Sequence, residues 1–358
     1  MEQVIPSIQF FIIVQCALFL AFISFNNRLK VKANRLLATL ISILAAHMLL
    51  NLLNQHFLEG KLGNLSIGLG FCYGPLLYLY AKVLAYKEYE LKTIQLTHAL
   101  PAVLAIALSS VTELSILIFA IGIFFSLTLY NFGIIKLLKR YRYILSQTRT
   151  EYEQIALRWL SHLLVLQFML LGLNILSVSF YFSGYPDLGQ LTEIILFAGL
   201  WMMVSMMIFQ GLQHPELYSG VTPEDLELIE ENTDSQKLTD ELLSEVMQQI
   251  DDFMKSEKPY LTPGMTVKSL GKELSLNPKY ISQAINTKAG INFSEYINGF
   301  KIGHACALLK NPEQQHLTVL DVMLESGFNT KSNFNRAFKA ITGSTPFEYR
   351  NQQSFSSD

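Results

Sequence analysis

The chain reads as all-α in two parts. A bundle of seven transmembrane helices comes first, then a polar region in which a helix, a sharp turn and a second helix occur twice. Three observations predict this. Seven apolar stretches long enough to cross a bilayer, which takes about 20 residues, fall within the first 212 positions. Charged residues are sparse there and crowd into the C-terminal part of the chain. Near the C-terminus, apolar residues at i, i+3, i+4 and i+7 alternate with glycine-marked turns.

Composition supports the division. Of 358 residues, 51% are hydrophobic and 16% charged, against roughly 25% charged in soluble domains. An ordinary soluble protein is excluded. The predicted spans are Val4–Phe25, Leu36–Phe57, Leu65–Tyr86, Ile94–Val111, Leu114–Leu138, Ala156–Phe182 and Leu188–Leu212. Pro101 interrupts the fourth, which a bundle tolerates because neighbouring helices re-satisfy the freed carbonyl. The first does not read as a cleaved leader, since it has no basic start and no small-x-small site.

Lysine and arginine set the orientation. The clusters Arg28/Lys30/Lys32/Arg35, Lys87/Lys92 and Lys136/Lys139/Arg140/Arg142/Arg149/Arg158 fall in or beside the first, third and fifth loops, and Lys61 alone lies in the others. Basic loops stay cytoplasmic. The N-terminus is therefore expected outside and the C-terminal domain in the cytoplasm, as a multi-pass protein of the inner (cytoplasmic) membrane. The outer loops, near Leu58–Asn64, Ser110–Glu113 and Ser183–Gly189, are too short to build a ligand-binding domain. A signal is then sensed within the bundle or at its outer lip.

Polar residues inside the spans mark where. His47, Asn51 and Asn54 share one face of the second helix, with Gln55 and His56 near its outer end, and Asn131, Gln167, Asn174 and Glu193 lie in later spans. Ionisable groups at such depth line cavities or relays. Amides there also glue helices by interhelical hydrogen bonds. His47, Asn51, Asn54, Asn174 and Glu193 are the candidate intramembrane ligand set, with helix glue as the alternative. The aromatic run Phe71–Tyr80 reads as an interfacial belt, and the methionines of Trp201–Met207 as pliable packing.

His214 to Lys258 is an acidic linker with 13 acids against 3 bases. Within it Thr239 to Met254 is amphipathic, with Leu243, Val246, Ile250 and Phe253 at 3-4-3 spacing. This helix either docks on the C-terminal domain or pairs two chains. The acidic run is a solvated stalk or a mask for the basic segment Pro259–Arg350, which carries 10 bases and 6 acids.

That segment holds the strongest pattern. Val319, Val322 and Met323 lead to Gly327, a residue suited to the left-handed turn after a helix. Asn329 or Thr330 then caps a second helix, in which Phe334, Ala337, Phe338 and Ile341 form a buried stripe opposite Lys331, Ser332, Asn335, Arg336 and Lys339. Gly343 ends it, and Pro346 suits the start of the next. Shifted by 53 positions, Ala284, Ile285, Gly290 and Tyr296 fall on Ala337, Phe338, Gly343 and Tyr349. The upstream copy has its turn near Ser275, a cap at Asn277, and Lys279, Ser282, Gln283 and Asn286 facing outward. Between the copies Ser294–Lys310 reads as one helix of about 25 Å, a strut suited to holding two readers about 34 Å apart on DNA.

Leu270 to Arg350 resembles the AraC/XylS-type DNA-binding domain, in which two helix-turn-helix units are joined by a rigid helix. Gly327-Phe328, Ser332, Phe334, Arg336, Phe338-Lys339, Gly343, Pro346 and Tyr349-Arg350 carry the resemblance. The chain departs from it at Gly271, Gln283, Ile285-Asn286, Lys301 and Met323. A seven-span bundle ahead of such a domain also resembles membrane-bound members of that bacterial family. The implied plan is a sensor-like membrane domain over 1–212, the linker over 213–257 and the DNA-binding domain over 258–358. Its first unit covers about 266–297, its connecting helix 294–310 and its second unit about 317–350.

The expected function is sequence-specific DNA-binding transcription regulation from the membrane. Arginine pairs with guanine and Asn or Gln with adenine, which selects Lys279, Ser282 and Gln283 in the first unit and Lys331, Ser332, Asn335 and Arg336 in the second. Lys339 and Lys301 are placed at phosphate or in solvent. Expected partners are double-stranded DNA, the lipid bilayer, a small-molecule or membrane signal, a second copy of the chain and RNA polymerase. The competing reading is a membrane receptor or transporter-like bundle whose helical tail docks proteins. No catalytic motif is present, so an enzyme is not expected. Cys16, Cys72 and Cys306 are too scattered for a zinc site or a disulfide framework, and neither metal nor cofactor is expected. His304 beside Cys306 reads as packing.

Overall fold

The computed structural model describes residues 3–25, 31–57, 63–111, 116–150, 152, 155–212, 220–230 and 239–354. Arg28, Lys30, Lys61 and the linker residues Glu216, Glu231, Asp234 and Lys237 lie outside them, as do the side chains of Gln55 and His56. The described residues are all-α apart from isolated β-bridges, one of which pairs Arg149 with Thr266. The chain divides into two compact units, Met1–Lys139 with Leu157–Gly220, and Arg140–Ala156 with Val221–Asp358.

In the first unit the helices are α1 (Val4–Phe25), α2 (Lys32–His56), α3 (Gly63–Gly70), α4 (Tyr73–Ala85), α5 (Leu100–Val111), α6 (Ile116–Thr148), α7 (Arg158–Phe182) and α8 (Pro186–Leu212). The end of α6, from Arg140, belongs to the second unit. Among the described residues, six helical segments are long and apolar enough to cross a membrane: Val4–Phe25, Lys32–Asn54, Leu65–Ala85, Ile118–Thr148, Arg158–Phe182 and Pro186–Gln210. The fourth predicted stretch differs. It is a 3-10 segment, Thr93–Ala99, followed by the 12-residue α5, shorter than the roughly 20 residues a bilayer asks for. Pro101 opens α5 instead of kinking a longer helix, because proline fits a first turn where no amide is needed.

Close packing in this unit uses small residues, which let helix backbones approach each other. A Cβ on Gly68 of α3 would lie 2.2 Å from Ile106 Cγ1 of α5. Gly199 of α8 likewise receives Leu170 of α7. Gln15 Nε2 donates to Ser205 Oγ at 2.8 Å, tying α1 to α8.

The second unit adds α9 (Pro223–Glu230), α10 (Asp240–Ser256), α11 (Val267–Leu274), α12 (Pro278–Ala284), α13 (Phe293–Lys310), α14 (Val319–Glu325), α15 (Lys331–Thr342) and α16 (Pro346–Ser354). Thr239 caps α10 by accepting the Leu242 amide. Its apolar stripe is filled, with Leu243, Val246, Ile250 and Met254 buried in one core with Leu270, Ile281, Ile285 and Ile297. The amphipathic linker helix therefore docks on the C-terminal domain. A second core joins Ile302, Leu309, Val322, Met323, Phe328, Phe334 and Phe338. Helix α13 serves both, with Ile297 in the first and Ile302 in the second, so the predicted strut is the shared wall of two small cores.

Candidate nucleic-acid interface

The second helix-turn-helix starts at a reciprocal cap. Thr318 Oγ1 accepts the Asp321 amide, and the Asp321 carboxylate accepts the Thr318 amide at 2.8 Å. α14 ends before Gly327, whose φ of +77° is left-handed. A Cβ there would lie 2.6 Å from the Leu261 carbonyl oxygen, so both conformation and space demand glycine. α15 then turns Phe334 and Phe338 inward, each 0% exposed. Phe328, Phe334, Phe338 and Tyr349 make successive edge-to-face pairs with centroids 5.3, 5.6 and 5.4 Å apart.

Rotation about α15 delivers the opposite face to solvent. Lys331, Ser332, Arg336 and Lys339 are exposed and Asn335 is half-buried. Arg336 Nη2 donates to Asn333 Oδ1 at 3.4 Å. Partial burial pulls the Arg336 guanidinium below its ordinary value, while the nearby Tyr152 works the other way. Ile341, expected in the buried stripe, is 51% exposed, because the core closes on Phe338 and Tyr349 before reaching it.

In the first unit Thr266 and Ser269 form a capping box and Ser275 takes the left-handed turn at φ 55°. A Cβ on Gly271 would meet the Leu276 carbonyl at 2.8 Å, which explains glycine at this departure from the family pattern. Asn277 accepts the Lys279 amide at 2.9 Å and starts α12. Lys279 and Gln283 are half-buried on its outer side. Ser282 is a correction. It is only 3% exposed, because Ile281, Ala284 and Ile285 form a wide buried face that turns position 282 inward.

Lys301 is a second correction. Placed in solvent or at phosphate by sequence, it is 0% exposed, and its ammonium donates to the Gly327 carbonyl at 2.6 Å. The segment Arg149–Tyr152 was invisible to sequence reasoning. Thr150 N and Oγ1 both donate to the Met265 carbonyl, at 3.1 and 3.0 Å. Ser294 Oγ of α13 donates to the Thr150 carbonyl at 3.0 Å. Arg149 pairs with Asp225 at 3.1 Å, and Asp225 with Lys268 at 3.2 Å. Tyr152 and Arg336 line one cleft of about 240 Å³, with Asn333 and Asn298. These contacts join residues 115 and 144 positions apart, beyond any local pattern.

The polar candidates of the apolar helices separate into two places. His47 Nδ1 lies 2.6 Å from the Tyr73 hydroxyl, and with Asn174 lines a cavity of about 570 Å³. Asn51 accepts from Ser66 Oγ at 2.7 Å, Glu193 accepts from the Tyr181 hydroxyl at 3.0 Å, and both line a cavity of about 1300 Å³. Asn54 is half-buried and lines neither.

Two helix-turn-helix units sharing one connecting helix define α11–α16 as an AraC-type helix-turn-helix domain. Residues 270–352 match the family described as "Helix-turn-helix domain". Over 89 residues the chain is 30% identical to the uncharacterized HTH-type transcriptional regulator YtdP of Bacillus subtilis (strain 168), covering 25% of this chain and 11% of that protein. It is 33% identical over 88 residues to the uncharacterized HTH-type transcriptional regulator YijO of Escherichia coli (strain K12), covering 25% and 30%. A third relative, the uncharacterized transcriptional regulatory protein YesN of B. subtilis, is 30% identical over 93 residues, 25% of each chain. The chain thus spans between about a tenth and 30% of the length of these relatives. No solved structure matches it.

Proposed function

We propose that the protein is a membrane-embedded, sequence-specific DNA-binding transcription regulator whose membrane part senses a signal and controls a cytoplasmic helix-turn-helix domain. One observation carries this reading: α15 packs Phe334 and Phe338 inward and presents Lys331, Ser332, Asn335 and Arg336 along one outer face. Such a face supplies bidentate donors for base edges in a major groove. Lys279 and Gln283 of α12 are the corresponding readers of the first unit, and Lys339 a phosphate contact.

Chain topology supports the cytoplasmic placement. Two helices of crossing length, α7 and α8, separate Ala156 from Val221. Two crossings return a chain to the face it left, so the basic segment Arg140–Ala156 and the helix-turn-helix domain emerge on one side of a bilayer. Their membership of one compact unit agrees with that. An N-terminus outside further requires the short α5 to cross. The two cavities with His47 and Asn174, and with Asn51 and Glu193, are where a signal molecule would bind.

The test uses full-length protein in lipid nanodiscs and a randomised duplex pool. Retention of a defined sequence class is expected, with log affinity falling linearly in log salt. Arg336→Ala should lose about 1–3 kcal/mol and relax preference at one base pair, while Lys339→Ala should weaken all duplexes alike and lower the salt slope by about one. No enrichment together with a flat salt response would instead favour the protein-docking reading, for which the burial of Ser282 is the supporting observation.

A further inference from the structure

We infer that Arg149, Thr150 and Tyr152, which follow α6, form an internal clamp on the helix-turn-helix domain: Arg149 and Thr150 fasten it, and Tyr152 stands in the cleft beside Arg336 until the clamp opens. The inference rests on the DNA-binding reading and names how that activity is held off.

The fastening is built from groups that have no other reason to meet. α6 ends at Thr148, and the next two residues leave the helix to run beside the start of α11 as a bridge between Arg149 and Thr266. Thr150 gives both its amide and its hydroxyl to the Met265 carbonyl. Its own carbonyl is taken by Ser294 of α13. Thr150 is 4% exposed and Ser294 3%, so these bonds sit away from water, where an unmade bond costs most. Arg149 adds an ion pair with Asp225 in the first turn of α9, and Lys268 of α11 closes the triad.

The position matters as much as the strength. Met265 leads into the first helix-turn-helix, and Ser294 opens the helix that joins the two units. Tyr152 then lies in the same cleft as Asn333 and Arg336 of α15. Arg336 is exposed at that cleft, and a duplex seated against it would meet the Tyr152 ring alongside. The clamp is continuous in sequence with α6, which carries a crossing segment, Ile118–Thr148. Movement at the end of α6 reaches Thr150 within two residues.

A reversible covalent lock tests this. Residues paired across an antiparallel bridge have Cα atoms about 4.5–5.5 Å apart, within disulfide reach. In full-length protein in nanodiscs, with Cys16, Cys72 and Cys306 replaced by alanine, Arg149→Cys with Thr266→Cys should cross-link on mild oxidation and reopen with dithiothreitol. The probe is the duplex class that the reduced protein retains from a randomised pool of about 30 base pairs, three helical turns. Locking should weaken retention by at least about tenfold. Unlocked Tyr152→Ala protein, with Arg149 and Thr266 intact, should gain affinity over wild type. Equal retention by locked and reduced protein would overturn the clamp and leave DNA binding standing. Failure to cross-link would overturn the docking itself. If neither form retains any duplex, the DNA-binding reading fails and the clamp falls with it.

Discussion

The Lys301 ammonium, fully buried on α13, donates to the Gly327 carbonyl at 2.6 Å and lies 5.1 Å from the centre of the Phe328 ring. A charge from the connecting helix thus holds the turn of the second helix-turn-helix. Burying an ammonium is costly unless it is hydrogen-bonded, and here a carbonyl and an aromatic face receive it. Lys301→Ala should destabilise by about 2–5 kcal/mol, combining a cavity with an unpaired carbonyl. Lys301→Met, which keeps the volume, should cost less. Chemical denaturation of a Thr239–Asp358 fragment reads both, and a silent Lys301→Ala would show that the clasp contributes nothing.

Two glycines distinguish conformation from space. Gly327 and Gly343 both hold positive φ, 77° and 79°, but a Cβ on Gly343 meets nothing within 4 Å while one on Gly327 strikes the Leu261 and Tyr260 carbonyls. Gly343→Ala should cost only the left-handed penalty of about 1–2 kcal/mol. Gly327→Ala should cost clearly more, because backbone must also move. Melting temperatures of the two variants in the same fragment decide it, and equal losses would refute the crowding.

Helix α10 belongs to the helix-turn-helix domain as a packing partner. Leu243, Val246, Ile250 and Met254 are each at most 4% exposed, and fully burying such side chains contributes about 1.5–3 kcal/mol apiece. Tyr296 adds a hydrogen bond to Asp251, and burial followed by that carboxylate pushes its phenol well up. A fragment starting at Tyr260 should be far less stable than one starting at Thr239. Comparable cooperative unfolding of the two by circular dichroism would show that the helix is dispensable.

Acid should loosen the Arg149 anchor. Burial acts to raise the Asp225 carboxyl, but the Thr222 amide, Arg149 and Lys268 outweigh it and hold the group below the usual carboxylate range. A depressed folded value means the stabilisation is present above about pH 3.9, the unfolded value, and is lost as pH falls through the folded one. Below that window the segment should release, read as faster hydrogen exchange of the Thr150 amide. Asp225→Asn should show fast exchange already at neutral pH, and if its exchange matched wild type the ion pair would have no part in docking.

Local pattern made most of the domain legible. Phe334, Phe338 and Gly327 each follow from spacing or backbone preference within a few residues, as do the Asn277 cap and the α10 stripe. Ser282 and Ile341 depart from their expected positions for a shared reason. Periodicity gives the centre of a helix's buried face, while its width depends on neighbours that sequence spacing does not reveal: Ile281 with Ile285 widen one, and Tyr349 shortens the other. Lys301 departs because charge argues for solvent, and only the approach of the Gly327 turn gives its ammonium an acceptor. In the first unit, Pro101 marked the weakest span, and the short α5 reflects proline's preference for a first turn.

By itself, the sequence determined the elements: apolar runs of crossing length, two helix-turn-helix repeats and the helix between them. These are read from residues a turn or two apart, where backbone preference and amphipathic spacing act. Tertiary structure alone decided which separated pieces meet, namely Thr150 with Met265 and Ser294, Lys301 with Gly327, and α10 with the first core. Such contacts depend on hydrogen bonds and packing between residues far apart in the chain, whose partners exist only once the helices have been brought together.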